Sequence, residues 1–339
     1  MNNFLPMELD FTLIICTYQR SKALSRLLDS IKIQTLYPDQ ILIIDGSLDN
    51  ETEFLLSKNQ ITNLEYYKVT EDNRGLTKQR NFGVNKVNRT TEIICFLDDD
   101  IVLTEDYFKN LISTYKTFPT AIGVGGYIKD EVKWFTAEQP AQFDEYSIDG
   151  YTRKLGSRNL FRKKMKMLSN DPPGYMPEFS NGLSISFLPP SGKTYPVEFF
   201  MGGVSSYRKS LFDDMRFSDY FIGYGLYEDM DFCLRASKRG KLFVNTSAQL
   251  YHLHEEEGRP NQFKYGKMVL RNGWYVWRVK YPNPSSSAVI KWNYIAFVLT
   301  LIRLGNVITT SQKRAAFTET LGRAVGWLSL IFNKPKMRN

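Results

Sequence analysis

Cysteine is scarce in this sequence, with Cys16, Cys95 and Cys233 alone among 339 residues. Three scattered thiols make no disulfide framework, so a reducing compartment is the expected setting. All three read as small buried hydrophobes, two in strand patterns and one in a helix pattern. Residues 1–10 carry two acids and no basic n-region, which excludes a secretory signal there. No apolar run reaches the roughly 20 residues of a spanning helix. The longest candidate, residues 292–302, is bounded by Lys291 and Arg303. No G-x-G-x-x-G follows the first strand pattern and no P-loop occurs, so dinucleotide and ATPase readings lose their usual support. An EF-hand is excluded too: the acid cluster at residues 98–100 lacks the central glycine, and the twelfth position is Lys109.

What remains is an ordinary globular composition with a basic balance. Hydrophobic residues make up 42% and charged residues 24%, enough for one large α/β domain with an appendage or for two domains. The formal charge of +8 points to anionic partners: nucleic acid, nucleotide phosphates or acidic headgroups. Aromatics are abundant, and most are expected in the core.

The chain is organised around Ile93-Ile94-Cys95-Phe96-Leu97-Asp98-Asp99-Asp100. Five apolar residues fit a parallel strand covered on both faces. Three adjacent carboxylates repel one another, a crowding that a cation relieves, and oxygen ligands suit Mg²⁺ or Mn²⁺. The alternative is a solvated turn with an aspartate capping the next helix. Before this point, strand patterns at residues 11–17, 41–44 and 64–69 alternate with helix patterns. Ser21 is placed to cap the first of these, with Leu24, Leu27, Leu28 and Ile31 on its inner face, and another runs over residues 76–87. That rhythm predicts a parallel, doubly wound sheet, with the loops after strands one, two and four on one rim. Those loops carry Thr17-Tyr18, Asp45-Gly46-Ser47 and the three aspartates.

Beyond residue 120 the rhythm changes. Residues 121–128 are glycine-rich, and 150–196 show little periodicity around a basic block of Arg153, Lys154, Arg158, Arg162, Lys163, Lys164 and Lys166. That block reads as a solvated excursion, with contact to phosphate or lipid headgroups as its functional alternative. Gly202-Gly203 inside an apolar run marks a backbone that another group must approach closely. Glu228 and Asp229 open a helix, where the dipole favours carboxylates, and Asp231 with Arg235 makes an i,i+4 pair. His252 and His254 are the only histidines and fall on one side of an extended segment. The tail carries two helices with broad apolar faces, one around Trp292–Ile302 and one over residues 316–332, ending in basic residues. Two placements suit them: packed on the domain, or in a membrane interface.

Read together, Phe11 to Arg20, Ile43 to Asp49, Asn73-Arg74-Gly75 with Arg80-Asn81-Phe82-Gly83, Phe96 to Asp100, and Glu228 to Arg235 resemble the ordered motifs of family 2 glycosyltransferases. The resemblance covers residues 10–255. It implies a GT-A fold, that is, a Rossmann-like, mostly parallel doubly wound sheet, here with a C-terminal helical extension. Residues 8–260 are then the catalytic domain, 1–118 its nucleotide-binding half and 119–260 its acceptor-binding half, with 261–339 the extension. The resemblance further implies a UDP-, GDP- or dTDP-sugar donor, a divalent metal (Mn²⁺ or Mg²⁺) and an inverting displacement. Residue by residue, it assigns Thr17, Tyr18 and Asp45 to the base and ribose pocket, Arg80 to the diphosphate, and Arg20 and Asp99 to the donor site. It makes Asp98, Asp100 and His252 metal ligands, Asp100 for direct contact and Asp98 nearer the ribose and so also in the nucleotide-sugar site, with His254 the alternative imidazole. Asp229 is the expected general base, with Glu228 beside it.

Ile44 stands where many members carry a second acid, and no QxxRW motif follows the second acidic pair, which points to single-sugar transfer. The expected acceptor is a glycan or lipid-linked molecule in cell-surface polysaccharide synthesis, at or near the cytoplasmic face of a membrane. A sugar-phosphate nucleotidyltransferase is the rival, but Cys16-Thr17-Tyr18-Gln19 lacks the glycine- and base-rich triphosphate loop. A nucleic-acid binder is the other, and no reader motif accompanies the basic block; no nucleic-acid partner is expected.

Overall fold

The computed structural model describes residues 9–221, 223–253 and 261–337. Its first part alternates strand and helix: β1 (Phe11–Thr17), α1 (Ser21–Lys32), β2 (Gln40–Asp45), α2 (Glu51–Ser57), β3 (Leu64–Lys68), α3 (Leu76–Val84) and β4 (Ile93–Asp98). β5 (Ile101–Leu103), α4 (Tyr107–Thr117) and β6 (Ala121–Ile128) follow. A small sheet of β7 (Phe135–Thr136), β8 (Glu145–Ile148) and β9 (Tyr151–Lys154) leads into α5 (Gly156–Lys164). β10 (Thr194–Val197), β11 (Val204–Arg208), α6 (Glu228–Ala236) and β12 (Lys241–His252) complete the main sheet. Three helices close the chain: α7 (Gln262–Lys280), α8 (Ser286–Thr309) and α9 (Lys313–Phe332).

Among the described residues the main sheet runs β10-β12-β6-β11-β4-β1-β2-β3, with β5 against β12. β1 pairs in parallel with β2 and β4, and β2 with β3, while β11 is inserted antiparallel between β4 and β6. The carboxyl ends of β1, β2 and β4 therefore share one rim, as the alternation predicted. Successive side chains of each strand go to opposite faces. Ile14, Ile44 and Phe96 join one apolar cluster, and Leu13, Ile15, Ile43 and Cys95 join the other. Residues 93–97 are at most 2% exposed, each buried side chain of this kind being worth about 1.5–3 kcal/mol.

Several boundaries differ from expectation for local reasons. α3 stops at Val84 because Lys86 N bonds to Gly83 O at 2.9 Å and Gln40 Nε2 takes Lys86 O at 3.2 Å, turning the chain toward β4. Ser21 is the first helical residue rather than the cap, and its hydroxyl donates to Glu51 instead. The basic block is not a featureless solvated excursion: β9 and α5 order it, and Arg162 is buried, donating to Ser180 Oγ at 2.8 Å and Asn181 O at 2.7 Å. Arg153 is partly buried as well, donating to Ser186 O at 2.6 Å with its guanidinium over Phe187, while Lys154, Arg158, Lys164 and Lys166 are exposed, and this mixture is what obscures the period.

The tail divides by helix. α7 enters the main apolar cluster: Tyr275 stacks on Tyr220 at 4.2 Å, and Trp277 donates its indole N–H to Glu178 O at 2.7 Å. α9 crosses α7 at backbone contact, since a Cβ on Gly266 or Gly322 would lie 2.1 Å from a carbonyl oxygen of the other helix. α8 and α9 bury one side and leave apolar side chains exposed on the other. The expected domain boundary at residue 260, and His254, lie outside the described residues.

Candidate active site

A cavity of about 1100 Å³ opens at the rim where β1 and β4 end. Thr17, Tyr18, Arg20, Arg80, Asp98, Asp99, Glu228 and Asp229 all line it. Residues separated by more than two hundred positions thus share one wall. Asp45, Asp100 and His252 are not in that lining.

The three aspartates at the end of β4 splay apart. Asp98 faces the cavity with its side chain 45% exposed, and its Oδ1 lies 3.4 Å from Arg80 Nη2. Asp99 turns inward, accepting from Thr17 Oγ1 at 2.7 Å and Arg20 Nη1 at 3.2 Å. Asp100 accepts from the same Arg20 nitrogen at 3.2 Å and meets His252 Nε2 at 3.3 Å. Their acidities follow from these neighbours. Burial pushes Asp99 up to about 6 against the pull of Thr17 and Arg20. Burial also raises Asp98, with Arg80 opposing it. For Asp100 burial is outweighed by His252 and Arg20, and the carboxyl sits below its ordinary value. His252, held between Asp100 and Glu131, is pushed up to about 10.

The second acidic pair opens α6. Tyr227, just before it, sits in the left-handed region at φ 70°, a conformation costing roughly 1–2 kcal/mol that turns the helix start toward the cavity. Glu228 is 5% exposed and pairs with Arg80. Its Oε2 has no hydrogen-bond partner among the described residues. Asp229 accepts from Met230 N at 2.7 Å and Gly202 N at 3.2 Å. Burial outweighs those two N–H groups and raises the pKa of Asp229 above its ordinary value. Burial raises Glu228 likewise, with Arg80 opposing. Asp231 and Arg235 form the expected i,i+4 pair at 2.7 Å.

Arg80 joins the two stations. It is 2% exposed, bonded to Glu228 on one side and Asp98 on the other, with its guanidinium over Phe217 and Phe96. Gly202 and Gly203 make room for this meeting. A Cβ on Gly203 would lie 2.0 Å from Asp98 Oδ2, and one on Gly202 would lie 2.6 Å from Glu228 Oε1 and 2.7 Å from Arg80 Nη1. The close approach inferred from the paired glycines is an approach of carboxylates.

Other expected residues take different places. Asp45 is fully buried, with Ser47 N on Oδ1 at 2.7 Å and the Tyr66 hydroxyl on Oδ2 at 2.9 Å. It shapes the loop beneath the cavity instead of facing it. Tyr18 is exposed at the mouth. Cys16 lines the cavity and is only partly buried, against the expectation of a core thiol, although desolvation pushes it up to about 12. Sequence reasoning gave no role to Arg74 and Lys78, two further cations on the lining, nor to Glu131 behind His252. The Asn73-Arg74-Gly75 turn was the available signal for Arg74. Nothing local marks Glu131.

The residues expected to bind a divalent ion have suitable chemistry but are not a ready cage. Among the described residues no three of His, Cys, Asp and Glu are grouped as an ion would need. Asp98 presents a half-exposed carboxylate, and Asp100 with His252 forms a carboxylate–imidazole pair. That donor set fits a hard ion whose shell is completed by substrate phosphates and water.

A family model described as "Glycosyl transferase family 2" matches residues 12–215. A glucosyl-dolichyl phosphate glucuronosyltransferase of Haloferax volcanii is 27% identical over 139 residues, covering 40% of this chain and 42% of that protein. The O-antigen chain rhamnosyltransferase RfbN of Salmonella typhimurium is 34% identical over 102 residues, 30% of this chain and 32% of that protein. Each alignment spans less than half of the relative's length. The solved mannosyltransferase PcManGT from Pyrobaculum calidifontis, in complex with GDP-Man and Mn²⁺, superimposes with a TM-score of 0.54 at 13% identity. That likeness covers 97% of this chain and 89% of the other, and is one of fold.

Proposed function

The chain belongs to glycosyl transferase family 2 and has a GT-A fold, and from that premise we propose that it transfers one sugar, with inversion, from a nucleotide-sugar to a glycan or lipid-linked acceptor in cell-surface polysaccharide synthesis. The donor is a UDP-, GDP- or dTDP-sugar. One observation carries the reading: Asp98 and Asp229 meet in one cavity around Gly202-Gly203, with Arg80 between their stations.

In this scheme the acceptor hydroxyl gives its proton to the Asp229 carboxylate as its oxygen bonds to the anomeric carbon. The bond from that carbon to the phosphate oxygen breaks on the opposite face, and its electron pair leaves with the nucleoside diphosphate. The raised pKa of Asp229 makes it a stronger base than an ordinary aspartate. The N–H groups of Met230 and Gly202 fix its orientation. Arg80, Arg74 and Lys78 place positive charge where the diphosphate develops negative charge. Tyr18 and Thr17 flank the nucleoside side, and Arg20 keeps Asp99 and Asp100 in place. A Mn²⁺ or Mg²⁺ ion held by Asp98, Asp100 and His252 would add Lewis-acid neutralisation of the leaving group. The reading includes a peripheral contact with the cytoplasmic face of a membrane, supported by the exposed apolar sides of α8 and α9.

The test is a hydrolysis and binding screen of UDP-, GDP- and dTDP-sugars with Mn²⁺ and Mg²⁺. One donor class should bind and turn over slowly without acceptor. If no nucleotide-sugar binds or is hydrolysed under any of these conditions, the proposal fails.

A further inference from the structure

α8 leaves one continuous stripe exposed: Ile290, Tyr294, Phe297, Leu301, Leu304 and Ile308. Steps of three and four residues keep all six on one face. α9 does the same with Phe317, Leu321, Leu328 and Ile331. Two adjacent helices with apolar outer faces are a larger patch than a soluble surface ordinarily tolerates.

Charge decides what covers them. Residues 286–337 hold seven Lys or Arg and one acid, Glu319, which is buried and paired with Arg303 and Arg323. Next to them, residues 151–170 hold seven Lys or Arg and no acid. The two segments meet in space: Met165 of the α5 turn and Tyr294 of α8, both exposed, line a shallow groove with Phe161 and Val298. Lys164 and Lys166 flank Met165 and are exposed. Arg303 and Arg323 are taken up by Glu319, Lys154 by Asp144 and Glu145, and Arg162 is buried, which leaves exposed cations at Arg158, Lys164 and Lys166 beside α8 and at Lys313, Arg314 and Lys334 at the two ends of α9. A second copy of this face would bring like charges together, whereas an anionic lipid surface offers both hydrocarbon and phosphate.

We propose that α8 and α9 lie in the plane of an anionic bilayer, with their apolar stripes below the headgroups and the α5 cations on the phosphates. Contrary to the expectation from a run bounded by Lys291 and Arg303, α8 continues through both cations, and its 24 residues include an 18-residue window of mean hydropathy 1.4, long and apolar enough to span. Its inner side argues for lying flat. Trp292 stacks on Trp277 at 5.4 Å, Asn293 accepts from Trp327 Nε1 at 2.8 Å, and Arg303 pairs with Glu319 at 2.7 Å. Spanning would break all three and carry Arg303 into hydrocarbon. This inference rests on the membrane part of the proposed function and is independent of the transfer chemistry.

The experiment is flotation of the full chain with phosphatidylcholine vesicles, with and without phosphatidylglycerol. Wild type should float with the anionic vesicles, and high salt should weaken the association. Phe297→Ser/Leu301→Ser/Leu304→Ser should lower partitioning by about a hundredfold. Arg158→Gln/Lys164→Gln/Lys166→Gln should lower it about tenfold or more on anionic vesicles only. All six positions are at or near the surface, and an unchanged melting temperature confirms folding. Donor hydrolysis in solution should be the same for both variants. Unaltered flotation of the α8 variant overturns the proposal. So does resistance to alkaline extraction, which marks a spanning helix. A dimer in sedimentation that the α8 variant dissolves, without vesicle binding by wild type, overturns it in favour of a second copy. Retention of RNA or DNA by the α5 cations, without vesicle binding, overturns it in favour of nucleic acid. Flotation without hydrolysis of any nucleotide-sugar leaves this proposal standing and removes the transfer reading; hydrolysis without flotation does the reverse.

Discussion

Asp98 and Asp99 at the end of β4 line the same cavity as the acidic pair at the start of α6, with Asp100 behind them, yet the two groups relieve their crowding in opposite ways. At β4 the carboxylates diverge. Asp99 goes to Thr17 and Arg20, Asp100 to Arg20 and His252, and Asp98 alone stays half exposed. At α6 both carboxylates are drawn in, Glu228 to Arg80 and Asp229 to two backbone N–H groups. Burial raises both members of the second station, and Asp98 and Asp99 of the first; Asp100 alone, beside His252 and Arg20, is lowered, so the contrast lies between Asp100 and Asp229. The difference suits different work. A carboxylate that must hold positive charge gains from being strongly acidic, and one that must accept a proton gains from being weakly so. Arg80 contacts both stations, closely at Glu228 and at 3.4 Å at Asp98.

The sharpest way to break this comparison is at Asp229. Asp229→Asn should lower kcat by about 10³-fold or more while leaving donor affinity within a few-fold, measured by steady-state rates and calorimetry. In wild type the rate should rise with pH through an apparent pKa above the ordinary aspartate value of about 3.9. The stability sign runs the other way. A folded pKa above the unfolded one means that Asp229 costs no stability below about pH 3.9, and that its penalty grows as pH rises through the folded pKa. Asp229→Asn should therefore melt higher than wild type at pH 7 and no higher at pH 3. A variant that keeps full activity removes Asp229 as base.

Arg80→Met tests the link between the stations. It leaves Glu228 buried without its partner and should cost about 3–5 kcal/mol in denaturant unfolding. Adding Glu228→Gln should restore much of that loss. If the double variant is no more stable than the single, the pair is not the source of the cost. Gly203→Ala should come next, because the new methyl meets Asp98 Oδ2 at 2.0 Å and must push that carboxylate aside. A loss of about 2 kcal/mol in donor binding is expected, with the metal concentration for half-maximal rate raised. The smallest effect belongs to Tyr66→Phe, which removes one hydrogen bond from buried Asp45. About 1 kcal/mol of stability should be lost, with kcat unchanged. A fall in kcat instead would place Asp45 in the chemistry.

The legible parts of the molecule were those with a short period. β4 declared itself by five apolar residues in a row, and α1 by Leu24, Leu27, Leu28 and Ile31 at i, i+3, i+4, i+7. The Gly202-Gly203 pair announced a close approach, though not of what. α7 was silent because it is covered by α6 on one side and α9 on another, and its mixture of Gly266, Asn272, Gly273 and aromatics shows no clean stripe. Arg162 was grouped with its basic neighbours because a buried, bonded arginine and a solvated one look alike in a run of cations.

By itself the sequence left the short strands β5 and β7 to β10 unmarked, but it determined the parallel strands of the first hundred residues, where acids would cluster and which motifs would follow one another. These are consequences of local propensity and patterning, which act within a few residues. Only the tertiary structure decided which acid faces which cation. Arg80 meets Glu228 across 148 positions, Asp98 lies on Gly203, and Asp45 turns away to Tyr66. Such pairings depend on how the sheet stacks its crossovers and on which carboxylates burial leaves without water, and no window of the chain contains both partners.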